Sequence, residues 1–165
     1  MDRLSITIDT NCINARSSLS AMTQLEQLQS EGRVQLVKTD VLDTELSGWG
    51  GRRGQRARRK SAPLREDIGA WVLGHSRLGH TRLASEGDAA LYDEIATAMF
   101  DHPLKGLHKR QVRDVMVLVT HIKFRRDILV TLDDDLLDKA ELIGRQFAVT
   151  VLRPGECLER VEGAG

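Results

Sequence analysis

Residues 107–135, LHKRQVRDVMVLVTHIKFRRDILVTLDDD, decide the fold. Val112, Val115, Met116, Val119 and Ile122 recur at helical spacing over 107–124. Val117 and Leu118 widen that stripe until little of the helix is left to face water. The next segment, Asp127-Ile128-Leu129-Val130-Thr131-Leu132, is mostly apolar, the composition of an internal strand of a parallel sheet. Asp133-Asp134-Asp135 ends the strand and opens another helix, with negative charge where the helix dipole favours it. One residue stands out. Asp114 interrupts the apolar helix, and a buried acid needs a partner.

The same alternation extends towards the N-terminus. Residues 3–8 follow a period of two and are rich in β-branched side chains, a strand that stops at Asp9-Thr10-Asn11. Leu19, Met22, Leu25 and Leu28 make a helix that Glu31-Gly32 ends. Val34–Val37 is a second strand, after which Thr39 or Asp40 caps a short helix containing Val41, Leu42, Glu45 and Leu46. Ala70–Leu83, weakened by Gly74 and Gly79, reads as a short strand or hairpin. Ser85 with Asp88 starts a helix that Leu91, Ile95 and Met99 carry to about Phe100. Phe147–Leu152 is a last strand, closed by Pro154-Gly155. Strands alternating with helices predict an α/β fold, a three-layer α/β/α sandwich with a central, mostly parallel sheet, in one domain over 1–165.

Residues 48–62 differ from the rest. Gly48, Gly50, Gly51 and Gly54 alternate with Arg52, Arg53, Arg56, Arg58, Arg59 and Lys60. This Gly/Arg-rich insertion reads as a mobile basic loop, because it offers nothing to bury. Its arginines and Lys60 are candidate contacts for an RNA backbone, with Trp49 placed to stack on a base and Trp71 in the core.

Composition narrows the function classes. The chain has 165 residues, 41% hydrophobic, and a formal net charge of zero, so no global basic field marks it as a nucleic-acid binder. No run reaches the roughly 18 apolar residues of a membrane span. Cys12 and Cys157 are too far apart for a CxxC motif or a disulfide framework, which fits a reducing, cytoplasmic setting. Cys12 reads as a small buried hydrophobe. His75, His80, His102, His108 and His121 are too dispersed for a zinc site.

The acids carry the chemistry. In open α/β sheets functional groups gather beyond the carboxyl ends of strands, and Asp9 and Asp133–Asp135 both follow strands. Asp114 and Glu45 lie on helices that otherwise look buried. Two carboxylates about 4 Å apart repel by about 4 kcal/mol at an effective dielectric near 20. A convergence of four therefore keeps protons or holds a cation. Oxygen-only ligands suit Mg²⁺ or Mn²⁺, and such a metal serves phosphodiester hydrolysis by activating water. Each acid also has a plainer reading. Asp9 and Asp133–Asp135 can be helix caps, and Glu45 can simply face water.

Taken together, Asp9-Thr10-Asn11 at a strand end, Glu45 on the following helix, Asp114 on a later apolar helix and Leu129-Val130-Thr131-Leu132-Asp133 resemble the PIN-domain nucleases. The resemblance covers most of the chain outside residues 48–100. It implies a PIN-like α/β/α domain and a metal-dependent endoribonuclease in which Asp9, Glu45, Asp114 and Asp133 bind Mg²⁺ or Mn²⁺. Asp135 is a further ligand candidate, and Asn11 and Thr131 orient the acids. RNA is the implied substrate. An antitoxin protein is the implied partner if the chain is of the VapC toxin type, and related domains form homodimers. The Gly/Arg stretch departs from the small toxin members. The alternative is a non-catalytic module of the same fold that binds RNA or protein, its acid cluster incomplete or filled by an Arg or Lys side chain.

Overall fold

In the computed structural model, which describes residues 3–14, 19–48, 50–70, 72, 75, 76 and 85–163, five strands form one sheet. They are β1 (Leu4–Ile8), β2 (Val34–Thr39), β3 (Arg65–Asp67), β4 (Ile128–Val130) and β5 (Thr150–Leu152), in the order β3-β2-β1-β4-β5. Every pairing is parallel, with Thr7 level with Val37 on one side and Leu129 on the other. The expected α/β sandwich with a parallel central sheet is what the chain adopts.

Strand alternation sorts the core into two layers. Ile6, Ile8, Val34, Leu36, Ile128 and Val130 point to one face and pack against α2 (Leu19–Ser30) and α9 (Pro154–Gly163) through Met22, Leu25, Leu28, Cys157 and Val161. Leu129 and Val151 point to the other, under α5 (Glu86–Phe100), α6 (Lys109–Lys123) and α8 (Ala140–Phe147). The stripe expected of α6 is buried over most of its length, Val112 and Val115 to Val119 being at most 4% exposed and Ile122 half-buried at its end. Ser85 and Asp88 form a reciprocal capping box at the start of α5. No described helix is long and apolar enough to cross a membrane.

One expectation needs correction, and two elements were not foreseen. Residues 51–61 are not a loop but a helix, α4 (Gly51–Ser61). Arginine is a good helix former, and Gly54, Ala57 and Ser61 lie on one side at helical spacing, where they are buried. Small residues let α4 lie close to α3 (Asp40–Ser47), with Ala57 against Leu42 and Leu46. Arg58 Nη1 reaches back 2.8 Å to the carbonyl of Leu46, in the last turn of α3. β3 is the second surprise, a charged edge strand, Arg-Glu-Asp, that pairs with β2. The third is α9: the last strand ends before Pro154 as expected, though it begins only at Thr150, and Pro154 then opens a helix, since proline suits the first turn. Of the segment expected to be a strand or hairpin, Ala70 makes a bridge and Val72 turns the chain, its carbonyl accepting from His75 and Ser76. The remainder, with Trp71, His80 and also Trp49, lies outside the described residues.

Candidate functional site

The chain builds β1, β2 and β3 outward on one side, then returns to lay β4 on the other side of β1. At such a reversal the crevice beyond the carboxyl ends of the two strands is left open. Asp9 leaves β1 there and Thr131–Asp133 leave β4. The two ends are tied. The backbone N–H of Asp9 donates to the Val130 carbonyl at 3.0 Å, and Thr131 Oγ1 donates to Asp9 Oδ2 at 2.7 Å. Thr131 Oγ1 in turn accepts from the Asp133 N–H at 3.0 Å and from Asn11 Nδ2 at 3.4 Å. Asn11 Oδ1 accepts from the Leu132 N–H at 3.1 Å, and Thr10 N–H donates to Asp9 Oδ1 at 2.7 Å. Thr131, at the end of β4, therefore holds the Asp9 carboxylate and the Asp133 backbone together, and Asn11 of α1 (Thr10–Asn14) braces Thr131 and Leu132.

Asp114 comes to the same crevice from α6. It is 9% exposed, and its Oδ2 is buried with no hydrogen-bond partner. Burial, then the carboxylates of Asp133 and Asp9, lift it from 3.8 to about 8, and Asp135 adds to this. Asp9 is lifted to about 6, chiefly by burial; the Thr131 and Thr10 hydrogen bonds oppose the rise, and Glu45 and Asp133 reinforce it. Asp9, Asp114 and Asp133 thus raise one another's cost of ionising, while Glu45 acts on Asp9 and Asp135 on Asp114.

Two arginines share the crevice with them. Arg110, one turn before Asp114 on α6, places Nη2 2.8 Å from Asp133 Oδ2 and 3.9 Å from Asp135 Oδ2. Arg113 Nη1 is 3.2 Å from Glu45 Oε1, so the acid of α3 is turned towards a guanidinium. Asp133 also caps α7 (Asp134–Leu137), its Oδ1 accepting from the Asp135 N–H at 3.0 Å. Among the described residues no three His, Cys, Asp or Glu side chains form a group that could hold a metal ion in this arrangement.

The donor set suits a hard cation nonetheless. It is all oxygen, it is mutually repelling, and it contains a buried carboxyl oxygen with nothing to bond. The arginines were the part that the sequence concealed. Arg110 stands four residues before Asp114 and so shares its face of the helix, which is the signal that marks it.

The remaining candidates are elsewhere. His121 is 1% exposed, its Nδ1 2.9 Å from Thr7 Oγ1 under the sheet, a structural contact. Cys12 is buried with Sγ 3.6 Å from the Val130 carbonyl, and burial pushes its thiol well up, so it is no nucleophile. The sequence matches no family model, and no curated protein matches it.

Proposed function

We propose that this protein is a metal-dependent nuclease of the PIN type that hydrolyses RNA. The observation that carries the reading is Asp114: a buried carboxyl with an unpartnered oxygen, set among like charges at the open end of a parallel sheet. Such a group is a standing cost unless a proton or a cation occupies it. Asp9, Glu45, Asp114 and Asp133 would hold Mg²⁺ or Mn²⁺, with Asp135 at the rim. The ion, when bound, supplies a water of lowered pKa and a Lewis acid for the scissile phosphate. The chain's own part is orientation: Thr131 fixes Asp9 and Asp133 together, Asn11 fixes Thr131, and both act without touching substrate. A reducing, cytoplasmic setting accords with the two buried free cysteines.

The test is cleavage of single-stranded RNA. Wild type should cut with Mg²⁺ or Mn²⁺ and stop with EDTA, and Asp9→Asn and Asp114→Asn should be folded and inactive. Cleavage undiminished by both changes refutes the mechanism. Should the chain be a toxin, expression would be toxic and Asp9→Asn would relieve it.

A specific observation favours a second reading, a non-catalytic binding module. Arg110 and Arg113 already neutralise Asp133 and Glu45, which is how a crevice that has no use for metal is expected to look. In that case Mn²⁺ leaves thermal stability unchanged at millimolar concentration, whereas a bound ion raises it with the logarithm of its excess.

A further inference from the structure

Helix α4 is a basic element separate from the acids. It carries six of the chain's 24 Lys and Arg side chains within 11 residues and no acid, so the rest of a chain balanced at 24 acids is net negative. Its buried side is Gly54, Ala57 and Ser61. At about 100° per residue, Arg52, Arg56, Arg59 and Lys60 fall within about 100° of one another on the opposite side. All four are exposed, and among the described residues none of them is paired with a carboxylate. Four unneutralised cations along one strip are costly to gather by chance, since each repels the next.

We infer that the strip Arg52–Arg56–Arg59–Lys60 on α4 binds the phosphate backbone of a nucleic-acid strand without regard to sequence. From Arg52 to Lys60 the strip runs about 12 Å along the helix, the length of three to four phosphates at about 3.4 Å per phosphate of one stacked strand. Arginine predominates, and its planar fork matches phosphate oxygens. An anionic membrane is the weaker occupant: the apolar side of α4 is already packed on Leu42 and Leu46, and no apolar side chain of the described part of the helix remains to enter a bilayer. Cations spaced along one strip meet the repeating phosphates of a strand, and phosphate contacts position rather than specify. The choice of nucleic acid among polyanions rests on the nuclease reading above. The geometry supports that choice, because α4 packs on α1 and α3, the elements that follow Asp9 and carry Glu45.

The experiment is binding of a fluorescein-labelled 20-nucleotide RNA, read by anisotropy in EDTA so that no cleavage intervenes. Four phosphate contacts on a single strand give a slope of log K against log salt near −3, about 50-fold weaker binding at 200 than at 50 mM salt. Arg52→Gln, Arg56→Gln, Arg59→Gln and Lys60→Gln combined should weaken binding at least tenfold and flatten the slope. Glutamine keeps helix propensity, so circular dichroism should be unaltered. Arg145→Gln, an exposed guanidinium on α8, should bind as wild type. Unchanged RNA binding in the fourfold variant overturns the proposal, as does binding confined to anionic vesicles or a preference above tenfold between oligo-U and a mixed sequence. Asp9→Asn should bind as wild type whatever it does to cleavage. Loss of cleavage and loss of binding are therefore read separately, and failure of the nuclease leaves this result standing or falling by itself.

Discussion

Thr131 Oγ1 donates a 2.7 Å hydrogen bond to Asp9 Oδ2 and so fastens the end of β4 to the end of β1 across 122 residues of sequence. Thr131 is fully buried, and its oxygen also accepts from the Asp133 N–H. Thr131→Val keeps the shape and removes all of this. A hydrogen bond to a charged group contributes about 1.5–3 kcal/mol, so urea unfolding at pH 8 should show a loss of that order. The bond also opposes the rise of the Asp9 carboxyl, which should titrate above its value of about 6 once the hydroxyl is gone. A carbon-13 titration of the Asp9 carboxyl reads this directly. An unmoved titration would mean that Thr131 has no hold on Asp9.

The raised pKa of Asp114 makes stability depend on pH in a defined direction. Between 3.8 and about 8 the folded chain keeps a proton on Asp114 that the unfolded chain has lost. Stability therefore falls as pH rises through that window, by about 1.4 kcal/mol per unit, and levels off above it. Asp9 acts in the same direction only up to about 6. His121, lowered to about 4 by burial, acts oppositely: its contribution is lost as pH falls from 6.5 towards 4. Asp40 is raised by burial as well, so the difference between wild type and Asp114→Asn isolates Asp114. The stability difference between the two should grow in the variant's favour by about 2 kcal/mol or more between pH 5 and pH 8. Saturating Mn²⁺ should stabilise wild type most at high pH. Parallel melting curves of wild type and variant from pH 5 to 8.5 would count against a strained Asp114.

How much of this the sequence disclosed follows from where apolar residues stood. α6 and β1 were legible because their apolar positions repeat at the periods of helix and strand, and β4 because it is an apolar run. Asp9, Asp133 and Asp114 were legible because two end strands and one interrupts a stripe. α4 was not, because its packing face is Gly54, Ala57 and Ser61, small residues that a search for apolar side chains passes over. β3 was hidden for another reason. Its residues are Arg65, Glu66 and Asp67, and the pairing of its backbone with β2 leaves no trace in composition. The arginine pairing of Asp133 and Glu45 joins residues 23 and 68 apart, a proximity that only the fold creates.

Asp67 illustrates the point in energetic terms. Both of its oxygens accept from Arg126, at 2.6 Å each, with the acid 2% and the arginine 10% exposed. The guanidinium lies 5.6 Å over the Phe124 ring. Breaking such a pair from one side leaves a buried charge unmatched, at a cost of about 3–5 kcal/mol. Asp67→Asn and Arg126→Met should each unfold at markedly lower urea. The double variant should be less destabilised than the two losses added together, since neither charge is left behind. Strict additivity would show that the two side chains act independently.

Arg110 offers the sharpest separation of the two functional readings. Its guanidinium is 69% exposed, yet it lies 2.8 Å from Asp133 Oδ2 and lowers the pKa of Asp114. A divalent ion entering the crevice must displace it or bear its repulsion. Removing it has two opposed effects, because Asp114 then holds its proton to higher pH. At pH 9 wild-type Asp114 is mostly ionised and the release of repulsion should prevail. Exposed ion pairs contribute about 0.2–1 kcal/mol, so Arg110→Gln should bind Mg²⁺ about two- to fivefold more tightly at pH 9, measured by calorimetry. At pH 7 the gain should shrink or reverse. Equal affinity at both pH values would remove Arg110 from the site. If neither protein binds Mg²⁺ at all, the binding-module reading stands in place of the nuclease.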